Sequence, residues 1–327
     1  MENKFDFNKL IKPVPPRAVL KMKNWVVWGG SVVFDDGKYH MYFSRWPKGD
    51  KHKGWITDSE IAYAVSDDPL GPFEFQKTII GKRGQKYWDA DMAHNPNILK
   101  WKNKFYLYYT GNYGNGEFWI HRNNQRIGVA VSDNPEGPWK RFDKPILDID
   151  QNGWDSLFTT NPSCCPTPDG GLILIYKAAT DKKNTHSQDC PVAHGVAFAK
   201  DPVGPFQKKP DPIFKSGKAK FPGEDPYVFY HNDCFYTILK DMGGYYTDHK
   251  RALVLFESDD GINWELASMP LVTTRKIKFE NKKVEEFQRL ERPQILKIND
   301  KLSVLYCAAK EKQKKYAYNI HIPLREN

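Results

Sequence analysis

Five short stretches of this 327-residue chain put unlike polar side chains at one recurring place: Trp28-Gly29, His94-Asn95, Thr160-Asn161, Glu224-Asp225 and Glu291-Arg292. The next residue is Gly30 in the first stretch and a proline in the others (Pro96, Pro162, Pro226, Pro293). One residue further on come Ser31, Asn97, Ser163, Tyr227 and Gln294. A plug would be apolar; this polar, mixed-charge set reads as a site. Crowded carboxylates drive one pKa of the group upward, and acid–base catalysis needs a proton donor and an acceptor facing the same substrate. Glu224, crowded by Asp225, is the candidate donor. The candidate acceptors are Asp91 and Glu291, with His94 able to serve as base or acid near neutral pH. Arg292 and Arg45 carry the planar fork that grips a carboxylate or sulfate. Asp225, Asn95, Asn161, Trp28 and Lys177 complete the candidate binding set, and Trp25 and Trp46 are further aromatic surfaces for stacking.

These residues recur because the chain repeats itself. The landmark positions Gly30, Pro96, Pro162, Pro226 and Pro293 are 66, 66, 64 and 67 residues apart. A second marker runs in phase: SDDPLGPF, SDNPEGPW and KDPVGPF, with Phe73, Trp139 and Phe206 spaced by 66 and 67. Trp88-Asp89 and Trp154-Asp155 form a third, again 66 apart. Three markers in one phase define a structural repeat. Each unit reads as an inner strand, an Asp/Asn/Gly turn, an aromatic-rich second strand, a third strand and a short fourth one after a Gly-Pro turn. The predicted fold is therefore all-β, a five-bladed β-propeller with four antiparallel strands per blade, spanning 1–327 as one domain. The last repeat is one strand short, so the N-terminal segment around Phe5–Leu20 is expected to supply it and close the ring. No long amphipathic helix is predicted; the best stretch, Lys282–Leu290, is short and charged.

Composition narrows the function. Net charge is +9, but without a dense basic block or nucleic-acid module, so it fits an acidic substrate better than DNA or RNA. No apolar run is long enough to span a bilayer, and no membrane partner is expected. The five cysteines show no zinc-like spacing and are expected to be buried free thiols. No cofactor motif is present and no metal ligand set is predicted. The N-terminus lacks a signal-peptide core, which places the protein in the cytoplasm, or in the periplasm or outside the cell if a leader has been removed.

The repeated SDxPxGPW/F turn, the phrases DGKYHMYFS and NKFYLYYTG, and the GEDP start of the fourth repeat resemble the five-bladed glycosidases of family 43 and the related families 32, 62, 68 and 117. The likeness covers essentially the whole chain. It implies an oligosaccharide substrate and glycosidic hydrolysis, with Glu224 at the position of the family 43 general acid. Two family 43 aspartates are missing: Gly29 and Asn161 stand where the base and the pKa-tuning residue would be. The resemblance thus implies a divergent branch, and it also implies that a structural Ca²⁺ or Na⁺ on the propeller axis is compatible with the fold. An exo-acting hydrolase, on a substrate carrying uronic acid or sulfate groups, is the leading expectation. Alternatives are a non-catalytic sugar-binding propeller, a phosphorylase or transglycosylase on the same fold, and a protein-interaction propeller, which would show a broad apolar face.

Overall fold

The computed structural model describes residues 5–49, 54–180 and 190–325. The strands gather into five sheets. Four of them have four antiparallel strands in simple sequential order. Blade one is Trp25–Asp35, Lys38–Pro47, Glu60–Ser66 and Glu74–Ile80. Blade two is Met92–Trp101, Lys104–Asn112, Arg126–Ser132 and Lys140–Arg141. Blade three is Phe158–Pro166, Leu172–Ala179, Val192–Ala199 and Gln207–Lys208. Blade four is Gly223–His231, Cys234–Asp241, Leu253–Ser258 and Glu265–Thr273.

The fifth sheet differs at both edges. Its core strands are Val284–Ile298, Lys301–Glu311 and Tyr318–Pro323. Its outermost strand is Val19–Leu20, paired antiparallel with Tyr318–Pro323. A short strand, Lys276–Lys278, pairs with the first part of Val284–Ile298, so the stretch with the best helical pattern is extended instead. Upstream, Phe7, Leu10, Val14 and Ala18 are buried between blades four and five. Each such side chain removed from water contributes roughly 1–3 kcal/mol, which anchors the N-terminal segment without long strand pairing.

The turns explain the repeat. Between the first and second strands of four blades, both turn residues have positive φ: Asp36-Gly37, Lys102-Asn103, Asn232-Asp233 and Asn299-Asp300. That backbone suits two-residue hairpins, which is why Asp, Asn and Gly recur there. The Gly-Pro turns at Gly71-Pro72, Gly137-Pro138 and Gly204-Pro205 all adopt the cis form. The five larger apolar clusters lie between neighbouring blades: Met41 and Phe43 face Val304 and Tyr306, and Tyr42 and Ile61 face Ile98 and Leu107. Face-to-face packing of this kind uses the aromatic-rich second strands that the sequence advertises.

Asp89 and Asp155 serve this architecture. Asp89 accepts hydrogen bonds from Tyr109 Oη at 2.8 Å and Arg141 at 3.2 Å; Asp155 accepts from Tyr176 Oη at 3.0 Å and Lys208 at 2.6 Å. Each thereby ties its blade's second strand to the outer one. The preceding tryptophans stack on those same tyrosines, over Gly128 and Gly195, where a Cβ would collide with the rings at 2.3 and 2.5 Å. Cys164, Cys165 and Cys307 are buried free thiols, Cys234 is a half-buried one, and Cys190 is buried. No helix among the described residues is long and apolar enough to cross a membrane.

Candidate active site

The landmark turns out to be a β-bulge used five times. In four inner strands the register slips between the residue two before the landmark and the residue one after it, and in blade one between Trp28 and Gly30. The residue between them takes a left-handed backbone: Gly29 (φ 56°), Asn95 (53°), Asn161 (55°), Asp225 (57°) and Arg292 (53°). A bulge re-aims side chains and bends the strand. Its effect here is to sort the two positions before the landmark and the one after it into three layers.

The layer after the landmark is a lock between blades. Ser31 Oγ accepts from Ile98 N at 3.0 Å, Asn97 Oδ1 from Cys164 N at 2.8 Å, and Ser163 Oγ from Val228 N at 2.9 Å. Tyr227 Oη donates to Ile295 O at 2.9 Å. Gln294 Oε1 then accepts from both Ser31 and Asn97, each at 3.1 Å. These polar residues, grouped by the sequence with the site, are structural, because the bulge turns them below the cavity.

The left-handed layer forms the floor. Asn95 Nδ2 donates to Asn161 Oδ1, and Asn161 Nδ2 to Asp225 Oδ1, both at 2.7 Å. Arg292 is 1% exposed; its guanidinium lies 3.8 Å from Asp225 Oδ1 and donates to Asn95 O at 3.1 Å. It fills the space left by Gly29, where a Cβ would sit 3.2 Å from Arg292 Cβ. Arg292 of blade five thus touches blades one, two and four, crossing the axis. The residues there do not fit an axial Ca²⁺ or Na⁺, because a fixed positive charge already occupies their centre. The expected role of Arg292 as a clamp on a ligand is corrected accordingly: it is a strut under the floor.

The layer before the bulge forms the wall. Trp28, His94, Glu224 and Glu291 line one cavity of about 310 Å³, with Asn95, Asn161 and Asp225 below and Lys177 alongside. Its remaining lining includes Trp46, Trp55, Arg122, Gln125, Phe158 and Arg289. Oxygens of Glu224, Asp225 and Glu291 lie within 4.8 Å of one another. Such a trio has the donor set for a cation, yet Lys240 Nζ is already there, 2.6 Å from Glu291 Oε1 and 3.1 Å from Glu224 Oε2. Lys177 Nζ binds the other Glu224 oxygen at 3.0 Å. The ammonium groups fill the role a metal would have.

This arrangement reverses the expected protonation. Lys177 and Lys240 overcome the burial of Glu224 and hold its carboxyl well below the usual range. Burial, followed by the negative charge of Glu224, pushes Asp225 up to about 6. Crowding does raise one member of the pair, but that member is Asp225. His94 is buried between Trp46 and Trp55, with Nδ1 sharing a 2.8 Å hydrogen bond with Ser59 Oγ. Burial and then the charges of Arg292 and Lys177 push it down to about 3, so the neutral-pH proton shuttle expected of it is replaced by a neutral, fixed imidazole.

Besides Arg292, three candidates fall outside the cavity, namely Asp91, Arg45 and Trp25. Asp91 accepts from Gly114 N at 2.9 Å and Gln85 Nε2 at 3.0 Å, fastening two loops. Arg45 binds Glu60 at 2.8 Å and Thr78 at 2.9 Å, between the rings of Trp25 and Phe75 at 4.1 and 4.2 Å. Charge at a strand end did not reveal which neighbour would neutralise it. The sequence reading passed over Trp55, Arg122, Gln125, Phe158 and Arg289. Lys240 had a signal: it faces Glu224 across the hairpin, just as Lys177 faces Thr160.

No family model matches the chain. One curated relative, the β-1,2-mannobiose phosphorylase of Thermoanaerobacter sp. (strain X514), is 28% identical over 138 residues, which cover 38% of this chain and 42% of that protein. The match therefore spans about two-fifths of the relative's length. Similar solved structures include a family 117 glycoside hydrolase from the marine bacterium Zobellia galactanivorans, with TM-score 0.66 and 21% identity over 97% of this chain and 91% of that one. A thermostable family 43 glycoside hydrolase aligns with TM-score 0.65 and 14% identity, covering 96% and 92%. An endo-arabinase from Bacteroides thetaiotaomicron gives 0.61 and 13%, covering 97% and 98%. The chain has the five-bladed propeller fold found in glycoside hydrolases.

Proposed function

We propose that the protein cleaves a terminal glycosidic bond of an oligosaccharide. One observation carries the reading: three carboxyl groups converge within 4.8 Å on a cavity walled by Trp28, Trp46 and Trp55. Indoles offer apolar faces with a polar edge, which suits a sugar ring. The hydrogen-bonded floor closes the cavity below, so a chain end enters and a chain cannot thread through; this supports an exo mode.

The protonation states assign the roles. Glu224, ionised, faces the anomeric carbon and meets the positive charge that grows there. Asp225 gives its proton to the leaving oxygen as the glycosidic bond breaks. Separations near 5–5.5 Å suit a direct carboxylate nucleophile, whereas inversion needs roughly 6.5–9.5 Å to admit water. The close cluster therefore favours retention: a glycosyl ester forms on Glu224, then water attacks it and loses a proton to Asp225. Glu291 holds Lys240 against Glu224.

Aryl glycosides with poor and good leaving groups test the roles. Asp225→Asn should lose turnover of the poor leaving group and keep much of it for the activated one, and it should flatten the activity loss as pH rises through about 6. Normal hydrolysis by Glu224→Gln would sink the proposal. A second reading, phosphorolysis, is favoured by the partial likeness to a phosphorylase together with the cations around the cavity; turnover that requires inorganic phosphate would select it.

A further inference from the structure

The cavity holds one cation that its own carboxylates do not satisfy. Lys177 and Lys240 are bound to Glu224, and Lys240 also to Glu291; Arg292 Nη1 also lacks a hydrogen bond but lies 3.8 Å from Asp225 Oδ1, and Nη2 donates to Asn95 O. Arg289 reaches Glu291 Oε2 at 3.9 Å while half exposed. Arg122 is different. It stands on the short helix Phe118–Asn123, its guanidinium 4.5 Å from the Phe158 ring centroid and 5.7 Å from that of Trp119. Its Nη1 is buried without a hydrogen-bond partner among the described residues.

A buried guanidinium nitrogen without a hydrogen-bond partner is costly unless one arrives to match it. Glu224, the nearby carboxylate, is already held by two lysines, so the missing partner is not in the cavity wall. Resting on the reading of this cavity as a sugar site, we propose that Arg122 recognises an oxyanion in it, either a carboxylate on the bound sugar or a free phosphate. The planar fork makes two parallel hydrogen bonds to either. A neighbouring recess of about 190 Å³ shares Trp28, Trp46, Trp55 and Arg289 with the cavity and adds Lys310 and Lys315. No carboxylate lines it among the described residues, so this recess favours anions.

Calorimetric titration of the full chain tests this, with glucuronate and galacturonate compared against glucose and galactose, and with inorganic phosphate alone. The expected result is at least about tenfold tighter binding of a uronate than of its neutral partner, abolished in Arg122→Gln and partly kept in Arg122→Lys. Phosphate binding that depends on Arg122, without preference among the sugars, assigns the oxyanion to phosphate and supports the receptor role. If neither uronate nor phosphate binds in an Arg122-dependent way, the proposal is overturned. Should Arg122→Gln fail to fold, Arg122→Lys and the wild-type preference decide: binding that favours neither acid sugars nor phosphate refutes it. Anion binding that persists when no aryl glycoside is turned over would instead sink the cleavage reading alone.

Discussion

Blades one and two differ from blades three and four at a single backbone position, the residue paired across the hairpin with the wall residue. In the first two blades it is Ser44 or Thr110; in the next two it is Lys177 or Lys240. The hydroxyls face down and cap the bulge of the following blade, Ser44 Oγ accepting from Asn95 N at 2.8 Å and Thr110 Oγ1 from Asn161 N at 3.1 Å. The lysines face inward and hold Glu224. One scaffold position thus builds the ring on one side of the axis and sets protonation on the other. The lesson is that chemistry in this molecule is added where the repeat's own hydrogen bond has been given up.

Glu224→Gln breaks the comparison most severely. With the ionised group gone, turnover should fall by about 10³-fold or more, on the scale of losing a reacting group, measured by kcat/KM with folding checked by circular dichroism. Lys240→Met should come next. It leaves Glu224 and Glu291 buried without their shared counter-charge, which costs about 3–5 kcal/mol when one partner of a buried pair is removed, measured by denaturant unfolding at pH 7. Lowering the pH should restore part of that loss as the carboxylates take up protons.

Ser44→Ala sharpens the other half of the comparison. The Asn95 amide loses its buried acceptor, at a cost of about 1–3 kcal/mol and without a change in the pH profile of activity; a shifted profile would mean that the hydroxyl side also governs protonation. The smallest effect concerns His194, which pairs across from Lys177 where the other blades have Ile61, Ile127, Leu253 and Asn319. Burial, and next the charge of Lys177, pushes His194 down to about 3. The unfolded chain therefore binds a proton that the folded one refuses, so stability falls as pH drops from about 6.5 toward 3. His194→Gln should remove roughly 1 kcal/mol of that loss by pH 5.5, read from unfolding midpoints at pH 7 and 5.5.

The ring was legible because its turns obey local chemistry: Asp36-Gly37 and Asn299-Asp300 advertise hairpins whatever surrounds them. The wall was legible too, since Trp28, His94, Glu224 and Glu291 are the unlike members of a like series. The floor and the lock were not separated, because Arg292 and Gln294 lie two residues apart and only the bulge decides which faces the axis. Asp91 is unlike Leu157 of the next repeat and Arg45 puts charge at a strand end, but neither mark tells of partners such as Gly114 and Glu60. Arg122 stands in a helical insertion outside the repeat, so comparing the repeats with one another could not reveal it.

Gly29 and Arg292 are contiguous in space though 263 positions apart, and neither tolerates change alone. A side chain at 29 would strain a left-handed backbone and press on the Arg292 stem, 3.2 Å from its Cβ, while losing the guanidinium opens a void beneath the reaction centre. The hub of this wheel is consequently covalent, supplied by the polypeptide itself.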